Sequence, residues 1–251
     1  MKKHKILIWI IVLLGILFAG FLLFPKEKTE IKNIVENTAT TTTEKKSEIK
    51  IITEPENNIN SKKIIPEKIL IQVPFISQAP FKIWDALHED ACEEASLLMV
   101  EKFLQKENAG TIEEQEKEIK NMVQYETKNN YGLSITMEEL AKIAQDYSEM
   151  KNPRVEKNIT IDDIKKELAD GRPVIIPAAG KILPNPNFKN GGPNYHMLLV
   201  VGYDADGFIT NDPGTRKGEG FRYTFQALFN AIHDWNPKNI LLGQKAYLVF
   251  D

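Results

Sequence analysis

The sequence predicts an α+β fold, and three observations support this prediction. Apolar residues at helical spacing, with Ser or Thr before the helices, dominate the first part of a globular region that starts near residue 64. Short apolar runs separated by turn residues dominate its second part. No internal repeat is present. The region has about 185 residues, enough for one domain with a substantial core.

The first predicted elements are a strand over residues 69–75, a loop over 77–89 and a helix that begins at Cys92. Helical spacing relates the apolar residues that follow Cys92. Asp90 is a candidate N-cap, and Glu93 and Glu94 fall in the first turn, where carboxylates suit the helix dipole. The sequence therefore places Cys92 at the start of a buried helix.

The remaining elements follow from capping residues, apolar runs and turns. Gly171 ends the predicted helix over residues 160–168, and Gly207 lies in the turn of a predicted hairpin. We predict helices over 111–125, 134–147, 160–168 and 225–232, strands over 173–177, 197–203, 208–210 and 245–250, and a long loop over 178–195.

An uncharged run from Ile6 to Phe24 follows the lysine-rich start of the chain. At about 1.5 Å per helical residue, it nearly spans a bilayer core of about 30 Å. We predict a single transmembrane helix within residues 1–24, with the N-terminus in the cytoplasm because lysines precede it. A cleaved signal peptide, which would make the protein secreted, is the alternative, but its apolar region is normally shorter.

Residues 25–63 are polar and contain no aromatic residue. Such a segment buries too little apolar area to offset the entropy of ordering it, so we predict a flexible stalk. The globular domain then spans 64–251. The chain has 32 Lys and Arg against 35 Asp and Glu, a net charge of −3, which gives nucleic-acid binding little support.

Cys92 is the only cysteine of the 251 residues. An exported protein usually holds its cysteines as disulfides, and a lone cysteine cannot pair within its own chain. His196 opens one strand of the predicted hairpin, and Asp212 follows the other. A thiol at a helix N-terminus, an imidazole that accepts its proton and a carboxylate that orients the imidazole are the groups of a cysteine hydrolase.

The segments around Gln78, Cys92 and His196 to Pro213 resemble papain-like cysteine peptidases, and in particular the domain family related to the double-glycine peptidases that remove bacteriocin leaders. The resemblance spans residues 69–251 and implies a helical part packed on an antiparallel sheet. It implies Cys92 as nucleophile, His196 as base, Asp212 as the residue that orients it and Gln78 as oxyanion donor. The expected substrate is a peptide or protein, without a cofactor.

Two other interpretations of these residues stay open. The family commonly has Gly-Pro where this chain has Glu93 and Glu94, and two carboxylates beside a thiolate oppose its formation. A non-catalytic module that binds a peptide on the same fold is therefore the alternative. Cys92, His196 and Asp212 could also bind zinc, but no pair of ligands at short zinc-type spacing supports a metal site.

Overall fold

The structure is a computed structural model, and it describes residues 65–251. Within this range, four of the six α-helices come before β2, most of the strands follow, and the strands form one antiparallel sheet. The strands are β1 (Ile69–Leu70), β2 (Pro153–Lys157), β3 (Val174–Ala178), β4 (His196–Tyr203), β5 (Phe208–Asn211), β6 (Phe221–Tyr223) and β7 (Ala246–Phe250). The helices are α1 (Ala86–Glu89), α2 (Cys92–Gln105), α3 (Ile112–Lys128), α4 (Met137–Asp146), α5 (Ile161–Ala169) and α6 (Phe225–Ala231).

Strand β4 lies in the middle of the sheet. The strand order is β2-β7-β3-β4-β5-β6, and β1 pairs with the last residues of β4. All eight residues of β4 are buried. Gly202 allows β1 to approach closely, because a Cβ at this position would lie 2.2 Å from the Ile69 carbonyl oxygen. The candidate residue His196 thus begins the central strand.

Helices cover both faces of the sheet, because successive side chains of a strand point to opposite faces. Met197, Leu199 and Val201 lie in one core together with residues of α2, α3 and α4. Leu198 and Val200 lie in a second core with residues of α5 and α6. The predicted α+β class, with helices packed on an antiparallel sheet, is confirmed.

Threonine caps define the starts of three helices. Thr111, Thr136 and Thr160 each form a capping box with the acidic residue three positions later. A capping box satisfies backbone N–H groups that a helix start otherwise leaves unbonded. These helices were predicted from such residues, although α4 begins after Thr136 rather than at residue 134.

Several predicted boundaries were wrong. The strand predicted over residues 69–75 has only two residues, and a single further bond joins the Ile71 N–H to the Val201 carbonyl oxygen at 2.8 Å. Asp90 does not cap α2, whose N-cap is Ala91 without a side-chain bond. The loop predicted over 77–89 contains α1, which Asp85 caps by accepting from the His88 N–H.

Two strands, β2 and β6, were not predicted. They lie at the two ends of the strand order, where only one neighbouring strand pairs with them. Arg154 and Glu156 in β2, and Arg222 in β6, make their sequences too polar for the apolar pattern of a buried strand.

Across residues 65–251, no helix combines the length and the apolar character needed to cross a bilayer. The predicted anchor (1–24) and stalk (25–63) lie outside the described residues. The domain boundary at residue 64 stays a prediction.

Candidate active site

Cys92 is the first residue of α2, and its side chain is buried, with an exposed fraction of 4%. The thiol donates a hydrogen bond to Glu93 Oε2 at 2.8 Å. Burial raises the pKa of the Cys92 thiol well above its ordinary value, and the carboxyl groups of Glu93 and Glu94 raise it further. A hydrogen bond involving the Met197 backbone opposes this rise. The thiol therefore lies beside the start of β4.

Three buried carboxyl groups, those of Glu93, Glu94 and Glu126, surround the start of α2, and we call them the carboxyl cluster. Burial is the main cause of their raised pKa values, to about 8 for Glu93 and about 7 for Glu94. Within residues 65–251 no Lys, Arg or His forms an ion pair with them. A hydrogen bond joins the carboxyls of Glu94 and Glu126. This bond is favourable when one of the two carboxyls carries a proton and the other accepts it.

His196 and Asp212 form a buried pair. The imidazole Nε2 lies 2.8 Å from Asp212 Oδ1, and the exposed fractions of the two residues are 1% and 0%. Burial alone would raise the pKa of Asp212. Its charge interaction and hydrogen bond with His196, together with bonds from Tyr223 and the Gly214 N–H, outweigh burial and lower this pKa. An ionised Asp212 fixes Nε2 as a donor and leaves Nδ1 as the nitrogen that can accept a proton.

The second oxygen of Asp212 is also fully bonded. The Tyr223 hydroxyl donates to Oδ2 at 2.8 Å, and Asn185 Nδ2 donates to the same atom at 3.1 Å. The Gly214 N–H donates to Oδ1 at 3.0 Å. These bonds fix the carboxylate and, through it, the plane of the imidazole.

Phe188 and Gly214 hold the imidazole from its sides. The Phe188 ring contacts the His196 ring edge to face, with centroids 5.3 Å apart. A Cβ at Gly214 would lie 2.7 Å from His196 Cε1, so only a glycine leaves room for the ring in this position.

Gln78 joins the segment before α2 to the segment after β5. Its backbone N–H donates to the Pro213 carbonyl oxygen at 3.2 Å. Its Nε2 donates to the carbonyl oxygens of His88 and Glu89 at 2.8 and 3.2 Å, while Oε1 is buried without a partner. A role as oxyanion donor requires one of the Nε2 bonds to be exchanged, and this role stays a prediction.

A cleft of about 1050 Å³ lies over the imidazole. Its lining includes His196, Gln78, Phe188, Gly214 and Trp84. Cys92 is buried and does not contribute to the lining.

His88 lies in the segment that was predicted as a loop, and the structure places it in α1. It is buried, with Nδ1 2.7 Å from Asp85 Oδ1 and Nε2 3.0 Å from Glu116 Oε2. These bonds attach the segment before Cys92 to α3. In the described residues, no group of three or more His, Cys, Asp or Glu side chains is arranged to hold a metal ion.

Comparison with known proteins decides the family. A family model described as the Peptidase_C39-like family matches residues 70–238, which is more than half of the chain. The chain belongs to the Peptidase_C39-like family. The resemblance to papain-like cysteine peptidases that the sequence indicated is therefore confirmed.

A solved structure supports the fold of this C39-like chain. The crystal structure of a protein described as a C39-like peptidase from Bacillus anthracis is similar, with a TM-score of 0.50 and 17% sequence identity. The match covers 74% of this chain and 98% of the other. No curated protein sequence matches this chain.

The C39-like site combines some of the predicted residues and separates others. His196 and Asp212 are directly bonded, and Gln78 lies in the same cleft as His196. The Cys92 thiol is near the same end of β4, but it is bonded to Glu93 rather than to the imidazole. Tyr223 was not predicted as a site residue, because β6 was not predicted.

Asn185 was also missed, because it lies in the long loop before β4. No spacing or motif pointed to it. Its position in a loop that ends at the candidate base was the only signal that could have drawn attention to it.

Proposed function

We propose that this chain is a membrane-tethered extracellular cysteine peptidase that hydrolyses a peptide or isopeptide bond through Cys92, His196 and Asp212. The buried pair of His196 and Asp212 carries the proposal, because His196 immediately precedes Met197, whose backbone bonds the thiol of the chain's only cysteine. Membership of the Peptidase_C39-like family supports the same reaction class.

The proposed reaction starts with a change in the hydrogen bonds of Cys92. The thiol leaves Glu93 and turns toward the imidazole, whose Nδ1 accepts the proton while Nε2 stays bonded to Asp212. The thiolate attacks the carbonyl carbon of the scissile bond, and a C–S bond forms. The imidazolium then protonates the leaving amine as the C–N bond breaks, which leaves an acyl-enzyme.

Hydrolysis of the acyl-enzyme restores the site. The neutral imidazole takes a proton from water, and the resulting hydroxide attacks the acyl carbon. The C–S bond breaks, and the proton returns to the sulfur. Gln78 would donate to the oxyanion in both halves of the reaction, after exchanging its bond to the Glu89 carbonyl. Loss of one oxyanion donor typically lowers the rate by about 10²–10³.

A thiol-directed probe tests this function. We expect an epoxysuccinyl or iodoacetamide reagent to label Cys92 rapidly at neutral pH, because His196 can accept the proton once the thiol has turned from Glu93 toward the imidazole. The variant His196→Ala should abolish rapid labelling, and His233→Ala, which changes a histidine outside the cleft, should not. Equal and slow labelling of all three proteins would contradict a peptidase.

One observation favours a second candidate function, a non-catalytic peptide-binding module. The thiol donates to Glu93, and burial together with the carboxyls of Glu93 and Glu94 raises its pKa, so the resting site disfavours thiolate. This function predicts that Cys92→Ala binds peptides as tightly as the unmodified protein and that neither protein cleaves them. Cleavage products from the unmodified protein, absent with Cys92→Ala, would exclude it.

The membrane location rests on the sequence of residues 1–24. We expect the full chain to sediment with membranes and to resist extraction by high salt, because an apolar helix rather than charge would hold it. Protease added outside intact cells should digest the globular domain. Recovery of the chain entirely in the soluble fraction would contradict the proposed membrane location. It would not bear on the proposed peptidase reaction.

A further inference from the structure

The cleft over His196 has a charge opposite to that of the whole chain. The chain has a net charge of −3. In contrast, only Glu89 and Asp90 contribute acidic side chains to the cleft lining. The cations of the cleft outnumber them, and they are Lys82, Lys181, Lys189, Arg216 and Lys217.

These cations have no ionic partner within residues 65–251. Elsewhere in that range cations are commonly paired, as Lys102 is with Glu118 and Arg172 is with Glu167. Of the five cleft cations, only Lys181 has a hydrogen-bond acceptor, the carbonyl oxygen of Asn190 at 3.2 Å. Unpaired cations in a concave surface produce a positive potential that attracts anionic ligands.

Two of the five cations, Lys189 and Arg216, closely follow residues that contact the imidazole. Lys189 follows Phe188, whose ring contacts the His196 ring. Arg216 is two residues after Gly214, which abuts the same ring from another side. Lys189 and Arg216 therefore belong to two different segments that contact the candidate base, and both line the same cleft.

The same cleft also has apolar surface. Such a surface favours a peptide ligand, which has apolar groups, over a simple polyanion. Trp84 is 37% exposed, and Phe188 lies next to the imidazole. Aromatic surface accommodates side chains of a peptide, whereas a phosphate polymer offers none to it.

We infer that the cleft takes acidic peptides, with Asp or Glu side chains on both sides of the scissile bond. This inference rests on the proposed function, because it identifies the substrate of the same site. Arg216 can bind a carboxylate through two parallel hydrogen bonds, and the lysines act as point charges.

Two pools of fluorogenic peptides test the inference on the full-length chain. The pools have the same length and differ only in Asp and Glu against Asn and Gln. We expect kcat/KM to be at least about 10-fold higher for the acidic pool, because complementary charge increases both encounter and retention. The preference should shrink between about 0.1 M and about 1 M salt, as the Debye length falls from about 10 Å to about 3 Å.

A charge-reversed variant provides the specific control. The double variant of Lys189→Glu and Arg216→Glu should lose the acidic preference and favour peptides that contain Lys. The variant Lys117→Glu changes the charge of an exposed residue of α3 outside the cleft and should keep the preference. Equal loss in both variants would show a general effect of net charge and overturn the inference.

Binding to Cys92→Ala separates this inference from the proposed function. Selective binding of acidic peptides without any hydrolysis by the unmodified protein supports the inference and removes the peptidase. Hydrolysis without a charge preference keeps the peptidase and overturns the inference. Inorganic polyphosphate that binds more tightly than an acidic peptide of equal charge also overturns it, in favour of a phosphate polymer.

Discussion

Glu93 is the residue that most directly controls the reactivity of Cys92. Its carboxyl accepts the hydrogen bond of the thiol, and its pKa is raised to about 8. As pH increases through this range, Glu93 becomes negative next to the sulfur. The new charge opposes thiolate formation, so the thiol should gain reactivity with pH less steeply than a free cysteine does.

The variant Glu93→Gln tests this effect. The amide keeps a hydrogen-bond acceptor for the thiol and cannot ionise, so we expect the midpoint of alkylation to move down by roughly one pH unit. Iodoacetamide labelling rates between pH 6 and 10 measure the shift. Glu113→Gln, an exposed residue in the first turn of α3, is the control, and an unchanged midpoint in Glu93→Gln would contradict the argument.

Tyr223 acts on the site through Asp212. Its hydroxyl bond helps to lower the pKa of Asp212, so Tyr223→Phe should raise that pKa. Because activity needs ionised Asp212, we expect the acid limb of the pH–kcat/KM profile to move to higher pH, with a loss of about 10-fold or less at neutral pH. Tyr195→Phe removes a buried hydroxyl that donates to the Ile135 carbonyl oxygen, and it should leave the acid limb in place.

Gly214 keeps the imidazole in place through close contact. In Gly214→Ala the new methyl group would displace the ring, and a displacement of about 1 Å can lower a rate by about 10²-fold. We expect kcat to fall with little change in the thermal midpoint. Gly132→Ala, in the segment between α3 and α4 outside the cleft, should retain the activity, and full activity of Gly214→Ala would show that the ring tolerates the shift.

The elements α2 and α3 are coupled by the carboxyl cluster. The folded pKa values of these groups, about 8 for Glu93, about 7 for Glu94 and about 10 for Glu126, lie above their unfolded values, so the folded state binds more protons between about pH 5 and 10. Their contribution to stability is complete at about pH 4 and is lost as pH rises through this window.

We therefore expect the thermal midpoint to fall between pH 5 and pH 9. Glu126→Gln should reduce this fall, because it removes one member of the Glu94–Glu126 pair. Each kcal/mol lost corresponds to roughly 3 °C for a domain of this size. Thermal scans of both proteins across the range measure it, and a midpoint that rises with pH would contradict the sign.

The sequence predicts the central elements of this fold better than its edges. The apolar run of β4 predicts a buried strand, and the Thr caps predict the starts of α3 and α5, because both patterns lie within a short stretch of sequence. Strands β2 and β6 form because a neighbouring strand is available to pair with them. That information is not local, so a polar edge strand resembles a loop in the sequence.

The candidate site shows the same contrast. His196 and Asp212 could be predicted to meet because a hairpin brings the start of one strand beside the end of the next. The bond from Cys92 to Glu93 depends on a side-chain rotamer and on Glu94 and Glu126 nearby. Packing between helices determines both the rotamer and the positions of these carboxyls, and no spacing in the sequence predicts that packing.

At the scale of the whole molecule, the sheet ties the chain together from its first described strand. Strand β1 pairs with β4, and the Tyr203 hydroxyl donates to the Pro66 carbonyl oxygen at 2.7 Å. We expect a chain that starts at residue 65 to fold and to keep the site. A chain that starts at residue 72 lacks β1 and should melt several degrees lower in a thermal scan. Equal midpoints would show that β1 contributes nothing to stability.

Strand β4 is covered on both faces and has neighbouring strands along both edges. Amide hydrogens in such a strand exchange with solvent only when the domain opens as a whole. The amides from Met197 to Val201 should thus be among the slowest to take up deuterium, while exposed amides of the loop over 179–195 exchange more quickly. Substitutions in the loops at the rim of the cleft can then change its shape without disturbing the strand that carries the imidazole.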